Sequence, residues 1–312
     1  MTEGKTRRSS KSASDDPSGP DPGGKPGPGL YVVATPIGNL GDLGRRAEAV
    51  LKAADVIACE DTRLTRRLTG RFQIATRLTA YHDHNAAKVR PALIARLERG
   101  ETVALVSDAG TPLVSDPGYR LVLAAHEAGI PVAAVPGPSA ALAALMVAGL
   151  PTNRFLFAGF LPPRPAARRR AIAELAAVPA TLVVFEAARR LASALADLAS
   201  LLGARPAAVA RELTKLHEEV RRGDLATLAR HYDAAGPPKG EVVIVIGRAP
   251  KPADLAPDDD GIQRALAALL ADHPVKQAAA EVAARFGISR REAYGRALAL
   301  KAGTAPEDGA GD

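Results

Sequence analysis

Three loops rich in glycine, proline and small hydroxyl side chains stand out as places where chemistry could happen. They are Thr35-Pro36-Ile37-Gly38-Asn39-Leu40, Ser107-Asp108-Ala109-Gly110-Thr111-Pro112 with its continuation Ser115-Asp116-Pro117-Gly118, and Val135-Pro136-Gly137-Pro138-Ser139-Ala140. Glycine lets a backbone approach a flat ligand closely, and small neighbours keep the space open. Each loop alone reads more readily as plain turn chemistry. Three of them, each after an apolar run, point instead to a ligand cradle. Its contacts would come from Pro36, Gly38, Asp108, Gly110, Thr111, Pro138, Ser139 and Ala140. Asp108 either holds the ligand or closes an Asx-turn.

Glu60 and Asp61 end another apolar run and offer carboxylates for general-base work or for steering a cation. The competing reading makes Asp61 the cap of the next helix and pairs Glu60 with a nearby arginine. His82 and His84 offer imidazoles, the side-chain type suited to proton exchange at physiological pH, and on an extended segment would point the same way. With no further ligand cluster beside them, a polar role towards a substrate outweighs a metal site, and no metal is expected. Cys59 is the only cysteine, so neither an intrachain disulfide nor a cysteine-based zinc site can form. That suits a reducing cytoplasm.

These residues need strands and helices to position them. Leu30 to Ala34, Val56 to Cys59, Thr76 to Tyr81, Thr102 to Ser107 and Pro131 to Val135 read as strands. Between them run helices with apolar faces at Ala47, Val50, Leu51 and Ala54, capped by Asp42, and at Val89, Leu93, Ile94 and Leu97. Alternation of this kind predicts an α/β fold with a largely parallel sheet covered on both faces. In such sheets ligands bind beyond the carboxyl ends of the strands, where all three loops fall. No Gly-x-Gly-x-x-Gly follows any strand, which disfavours a nicotinamide dehydrogenase or a Rossmann-type methyltransferase.

The pattern resumes after a boundary at Gly149-Leu150-Pro151-Thr152. Strands are expected at Phe155 to Gly159, Thr181 to Phe185, Ala207 to Arg211 and Glu241 to Ile246, with a helix bearing Leu191, Leu195, Leu198 and Leu202. The expected organisation is a disordered tail over 1–29, α/β domains over 30–149 and 150–248, a linker over 249–260 and a small helical domain over 259–303. Gly287-Ile288-Ser289 in the last domain resembles the turn of a helix-turn-helix. Gly19 to Lys25 mimics a phosphate-binding loop, but Pro26 replaces the needed Ser or Thr and no strand precedes it.

The 312 residues carry a net charge of +7, which favours a polyanionic partner. Basic side chains cluster at Arg63, Arg66, Arg67 and Arg71, at Arg164 and Arg168 to Arg170, and at Arg189 and Arg190; Lys276, Arg290 and Arg291 add to the tail domain. With no Trp, five Tyr and six Phe, a nucleic-acid surface built mainly from stacking platforms is disfavoured. The most apolar stretch, Ala140 to Leu150, is too short to span a bilayer, and the N-terminus has no secretory signal.

Leu30-Tyr31-Val32-Val33-Ala34-Thr35-Pro36-Ile37-Gly38-Asn39-Leu40, Glu60-Asp61-Thr62-Arg63 and Ser107 to Pro112 resemble motifs of the small-subunit ribosomal RNA methyltransferase I family, a branch of the tetrapyrrole methylase superfamily. Ala210-Arg211-Glu212-Leu213-Thr214-Lys215 and Lys239-Gly240-Glu241 extend the resemblance, which spans roughly Leu30 to Lys301. Two departures occur. Ala86 follows Tyr81-His82-Asp83-His84-Asn85 where the family usually has Glu. Phe185-Glu186-Ala187-Ala188-Arg189-Arg190 replaces a common Tyr-Glu-Ser-x-His-Arg, keeping Glu186 and Arg190.

The resemblance implies two α/β domains with S-adenosylmethionine in the cleft between them, a homodimer, and 2′-O-methylation of cytidine 1402 of 16S ribosomal RNA. On that reading Glu60 or Asp61 is the base, and the first-described loops hold the donor. Arg63, Arg66, Arg67, His82, His84, Glu186, Arg190, Arg211, Lys215 and Lys239 face the RNA or small ribosomal subunit. Two other readings stay open: a methyltransferase acting on a small tetrapyrrole-like ring, and a non-catalytic ribosome assembly factor.

Overall fold

The computed structural model describes residues 26–248, 259–286 and 288–303. The phosphate-loop mimic, most of the expected linker and Gly287 lie outside the described residues. The described chain divides into two units. The first runs to Ala144 and takes in Arg211–Glu219; the second holds Leu145–Ala210 and the described residues from Val220 on.

The first unit carries a five-stranded sheet in the order β3-β2-β4-β1-β5. Its strands are β1 (Gly29–Val33), β2 (Val56–Cys59), β3 (Leu78–Ala80), β4 (Thr102–Val106) and β5 (Val132–Val135). Every pairing in it is parallel. Both faces are buried, as parallel strands require. Val33, Ile57, Ala104 and Val135 pack with α1 (Arg45–Ala53) on one side, and Leu30, Val56, Val103 and Leu105 pack with α3 (Ala86–Glu98) and α4 (Tyr119–Glu127) on the other. Gly29, assigned from sequence to the tail, instead opens β1.

Asp42 does not cap α1. It lies in a short 3₁₀ turn, Leu40–Asp42, whose own cap is Asn39: the Asn39 Oδ1 accepts from Gly41 N–H at 2.9 Å. Gly44 starts α1 without a side-chain cap. The helix is held by its apolar face instead, with Ala47, Val50, Leu51 and Ala54 all buried.

The second unit holds the sheet β6-β7-β10-β8-β9, built from β6 (Phe155–Phe160), β7 (Thr181–Ala187), β8 (Pro206–Arg211), β9 (Glu219–Asp224) and β10 (Glu241–Ile246). It is mixed: β6 pairs with β7 in parallel, and β10 with β7 antiparallel. Leu182, Val184, Val209 and Ile244 pack against α6 (Pro165–Leu175), α7 (Leu191–Leu202) and α8 (Leu225–Ala235). The leucines at 191, 195, 198 and 202 form the buried stripe of α7. A separate small core joins α9 (Asp259–Leu270), α10 (Val275–Phe286) and α11 (Arg290–Ala302) through Ile262, Leu266, Val282, Ala293 and Ala297. Asp259 and Asp260 open α9 rather than ending a linker. Among the described residues no helix is long and apolar enough to cross a membrane.

Candidate active site

The order β2-β4-β1-β5 sets the loops that follow those strands side by side at one edge of the first sheet. Hydrogen bonds lock them together. Thr35 N–H donates to Gly110 O at 2.8 Å and Gly110 N–H returns a bond to Thr35 O at 3.0 Å. The Thr35 hydroxyl donates to Ser107 O at 3.3 Å, and the Thr111 hydroxyl to Pro138 O at 3.0 Å. Asp61 N–H donates to Asp108 Oδ1 at 2.9 Å, which ties the β2 loop to the β4 loop. Gly110 has a φ of +84°, and a Cβ there would lie 3.2 Å from Ile37 Cγ2. The loops that carry Pro36, Gly38, Asp108, Gly110, Thr111, Pro138, Ser139 and Ala140 are thus one bonded framework. Pro36 and Gly110 are buried in it, while Gly38 and Asp108 are exposed.

Residues 211–219 complete this framework. Asn39 N–H donates to the Thr214 hydroxyl at 3.2 Å. The stem of Lys215 lies over Gly38, so that a Cβ on Gly38 would meet Lys215 Cγ within 2.4 Å. Lys215 Nζ donates to Glu212 Oε1 at 3.0 Å. Glu212 and Thr214 both have left-handed backbone, at φ +49° and +66°. Thr214 is β-branched, which makes that conformation costly. Leu113 and Ser115, in the loop after β4, share it at +72° and +66°.

Four acids sit at these strand ends and differ in state. Asp61 caps α2 (Thr62–Arg71) by accepting from Arg63 N–H at 2.8 Å, and its carboxylate also binds the Arg63 guanidinium at 2.7 Å. Those bonds hold its carboxyl down at about 2. Glu60 is half-buried, and desolvation first, then the charges of Asp108 and Asp83, push its carboxyl up. Partial desolvation raises Asp108 as well. Asp116, to which the sequence assigns no role, is pushed up to about 6 by burial and by the charge of Glu60. The only hint of it was a second Asp in the β4 loop.

Asp116 has a measurable consequence. Its carboxyl binds a proton more tightly in the folded chain than in the unfolded one, so this group's share of stability is lost as pH rises from about 4 to about 6. Asp116→Asn is therefore expected to stabilise the protein at about pH 8. Solvent screening at a half-exposed site holds the gain to about 1–2 kcal/mol. Urea unfolding at about pH 4 and pH 8 checks this; a variant no more stable than the native protein at the higher pH would contradict it.

The residues expected to face RNA are placed less uniformly. Arg66 and Arg67 are exposed on α2, whereas Arg63 is held by Asp61. His82 lies close enough to Glu60 to lower its pKa, and its ring meets that of His84 edge-on, 6.0 Å between centroids. The segment carrying them is not extended: it turns at 83–85, where Asn85 Oδ1 accepts from His82 N–H and Asn85 Nδ2 donates to Ala80 O. In the second unit Glu186 is buried, and its Oε1 accepts from Arg190 Nε and from Ala187 N–H, both at 2.7 Å. Arg211 pairs with Glu219 at 2.7 Å, and Lys239 is exposed. The Arg164 to Arg170 run is not one charged face. Arg168 is buried in an ion pair with Asp197, Arg169 reaches the same carboxylate, and only Arg164 and Arg170 are exposed without a described partner.

This fold with its bonded strand-end loops defines a methylase of the tetrapyrrole type: the family model Tetrapyrrole (Corrin/Porphyrin) Methylases matches residues 29–229. A solved uroporphyrin-III-C-methyltransferase from Thermus thermophilus is 26% identical, with a TM-score of 0.51 over 70% of this chain and 94% of that one. A second model, the RsmI C-terminal HTH domain, matches residues 256–301. The chain is 53% identical to ribosomal RNA small subunit methyltransferase I of Mesorhizobium japonicum, over 90% of this chain and 95% of that protein. It is 45% identical to the protein of that name from Escherichia coli O157:H7, over 86% and 94%. The chain belongs to the tetrapyrrole methylase family, in its ribosomal RNA small subunit methyltransferase I branch.

Proposed function

We propose that this enzyme methylates the ribose 2′-oxygen of a single cytidine, position 1402, in the RNA of the small ribosomal subunit, with S-adenosylmethionine as donor. The observation that carries this reading is the bonded framework of strand-end loops with its carboxylates. The residues fit a sulfonium compound: Asp108 and Asp116 supply negative charge beside the glycine- and proline-rich loops. Bound there, the donor supplies an electrophilic methyl group. Pro36, Gly38, Asp108, Gly110, Thr111, Pro138, Ser139 and Ala140 would hold it.

The protein's own tasks are then two. It orients the attacking ribose oxygen, which at best supplies about 7–11 kcal/mol. It also relieves that oxygen of its proton, and Glu60 is better suited to this than Asp61. The Asp61 carboxylate is spent on the α2 cap and on Arg63, whereas Glu60 has no hydrogen-bonding partner among the described residues. On this reading His82, beside Glu60, and Arg66 and Arg67, exposed on α2, meet the RNA.

A cytoplasmic homodimer is part of the same reading. The edge strand β6 exposes Phe155, Leu156 and Phe160, and α5 (Ala140–Val147) exposes Leu142 and Met146 one turn apart. Exposed apolar patches of this kind mark contact surfaces.

The test is to incubate the protein with labelled S-adenosylmethionine and small subunits, then map ribose methylation. Label at one cytidine ribose is expected. Label on an isolated tetrapyrrole instead, or donor binding without transfer to RNA, would overturn the reading.

A further inference from the structure

The helical part of the second unit has an open groove of about 520 Å³, lined by Lys276, Ala279 and Ala280 of α10 and by Arg290, Arg291 and Tyr294 of α11. The alanines form a floor of short side chains. The three cations and Tyr294 rise around it, and all four are exposed. None of the three cations has an ion-pair partner among the described residues. Arg296, on the same helix, shows what a structural arginine looks like here: it binds Asp259 and, at 2.9 Å, Glu292. No acid lines the groove.

We propose that this groove docks a segment of the substrate RNA, with phosphates held by Lys276, Arg290 and Arg291 and a base stacked on Tyr294; this rests on the RNA-methylating reading above. Charge complementarity selects the occupant. Three unpaired cations within one groove suit closely spaced phosphates, and binding of that kind releases counterions. Tyr294, 43% exposed, supplies the apolar face that a splayed base needs.

The experiment uses the full-length enzyme with protein-free small-subunit RNA and with intact subunits, across a salt series. Combined Lys276→Gln, Arg290→Gln and Arg291→Gln replacements are expected to raise KM for RNA at least about tenfold, with kcat at saturation held. The slope of log affinity against log salt should flatten by about 0.7–0.9 for each phosphate that is no longer neutralised. Tyr294→Ala should weaken RNA binding roughly 5- to 100-fold, and Tyr294→Phe should restore it. Lys301→Ala, off the groove, is the control for general charge loss. Should the combined variant melt below the assay temperature, each single replacement is read by the same change in slope.

A native KM and salt slope in these variants would overturn the proposal. So would loss of subunit binding with native affinity for protein-free RNA, since the occupant would then be a ribosomal protein. RNA binding is read separately from transfer. A native enzyme that binds RNA through the groove yet never labels it would sink the methylation reading and leave the groove standing.

Discussion

Replacing Glu60 by Gln is expected to slow methyl transfer by about 10²–10⁴-fold, while S-adenosylmethionine affinity changes little. The substitution keeps the shape of the side chain and removes its capacity to take a proton. Partial burial and the neighbouring Asp108 and Asp83 make Glu60 a stronger base than an ordinary carboxylate, whereas Arg63 makes Asp61 a weaker one. The pH dependence follows with a definite sign. A base must be ionised to act, so the native rate should rise with pH through the elevated pKa of Glu60 and then level off. In Glu60→Gln that limb should vanish. Single-turnover transfer to small subunits from about pH 5 to 9 measures both effects. A Gln variant with native rate and native pH profile would remove Glu60 from the mechanism.

Asp197→Ala should cost about 3–5 kcal/mol of folding stability. Arg168 Nε and Nη2 both reach Asp197 Oδ2 at 2.7 Å, and the Arg168 side chain is only 5% exposed. The variant strands that guanidinium inside the second unit, where neither water nor a second acid can satisfy it. Against a typical total of about 5–15 kcal/mol, the loss is large. The double replacement Arg168→Met with Asp197→Leu should regain much of it, because an apolar pair of similar volume carries no stranded charge. Urea unfolding of both variants distinguishes this from a solvated ion pair, for which Asp197→Ala would cost about 1 kcal/mol or less.

Much of the fold was legible because its cause is local. The apolar runs at Val56 to Cys59 and Thr102 to Val106 had to be buried strands, and the leucine spacing from 191 to 202 had to be one helix face. The strand-end loops were legible for a similar reason, since Gly and Pro clusters mark turns locally, although Leu113 and Ser115 also take left-handed backbone there. What the sequence hid depends on residues distant along the chain. Strand β9, Glu-Val-Arg-Arg-Gly-Asp, has Val220 as its only large apolar residue, because it is an edge strand. Arg168 could not be told from Arg164 or Arg170 until Asp197 was seen beside it. Asp116 owes its raised carboxyl first to burial and then to the charge of Glu60, more than fifty positions earlier. Nor does anything at Gly38 announce that Lys215 will lie across it.

The first unit is discontinuous, and this bears on how the enzyme is made. Its sheet is finished by Val135, yet the Thr214 and Lys215 that close over Asn39 and Gly38 come about 70 residues after Ala144. At roughly 5–20 residues per second, translation leaves the nascent unit without that piece for about 3–15 seconds. During that interval a newly emerged chain has its strands but an incomplete set of strand-end loops. A fragment cut after Ala144 would stay in that condition permanently. Synthesis order thus withholds the finished loop framework until well over half of the polypeptide has been made.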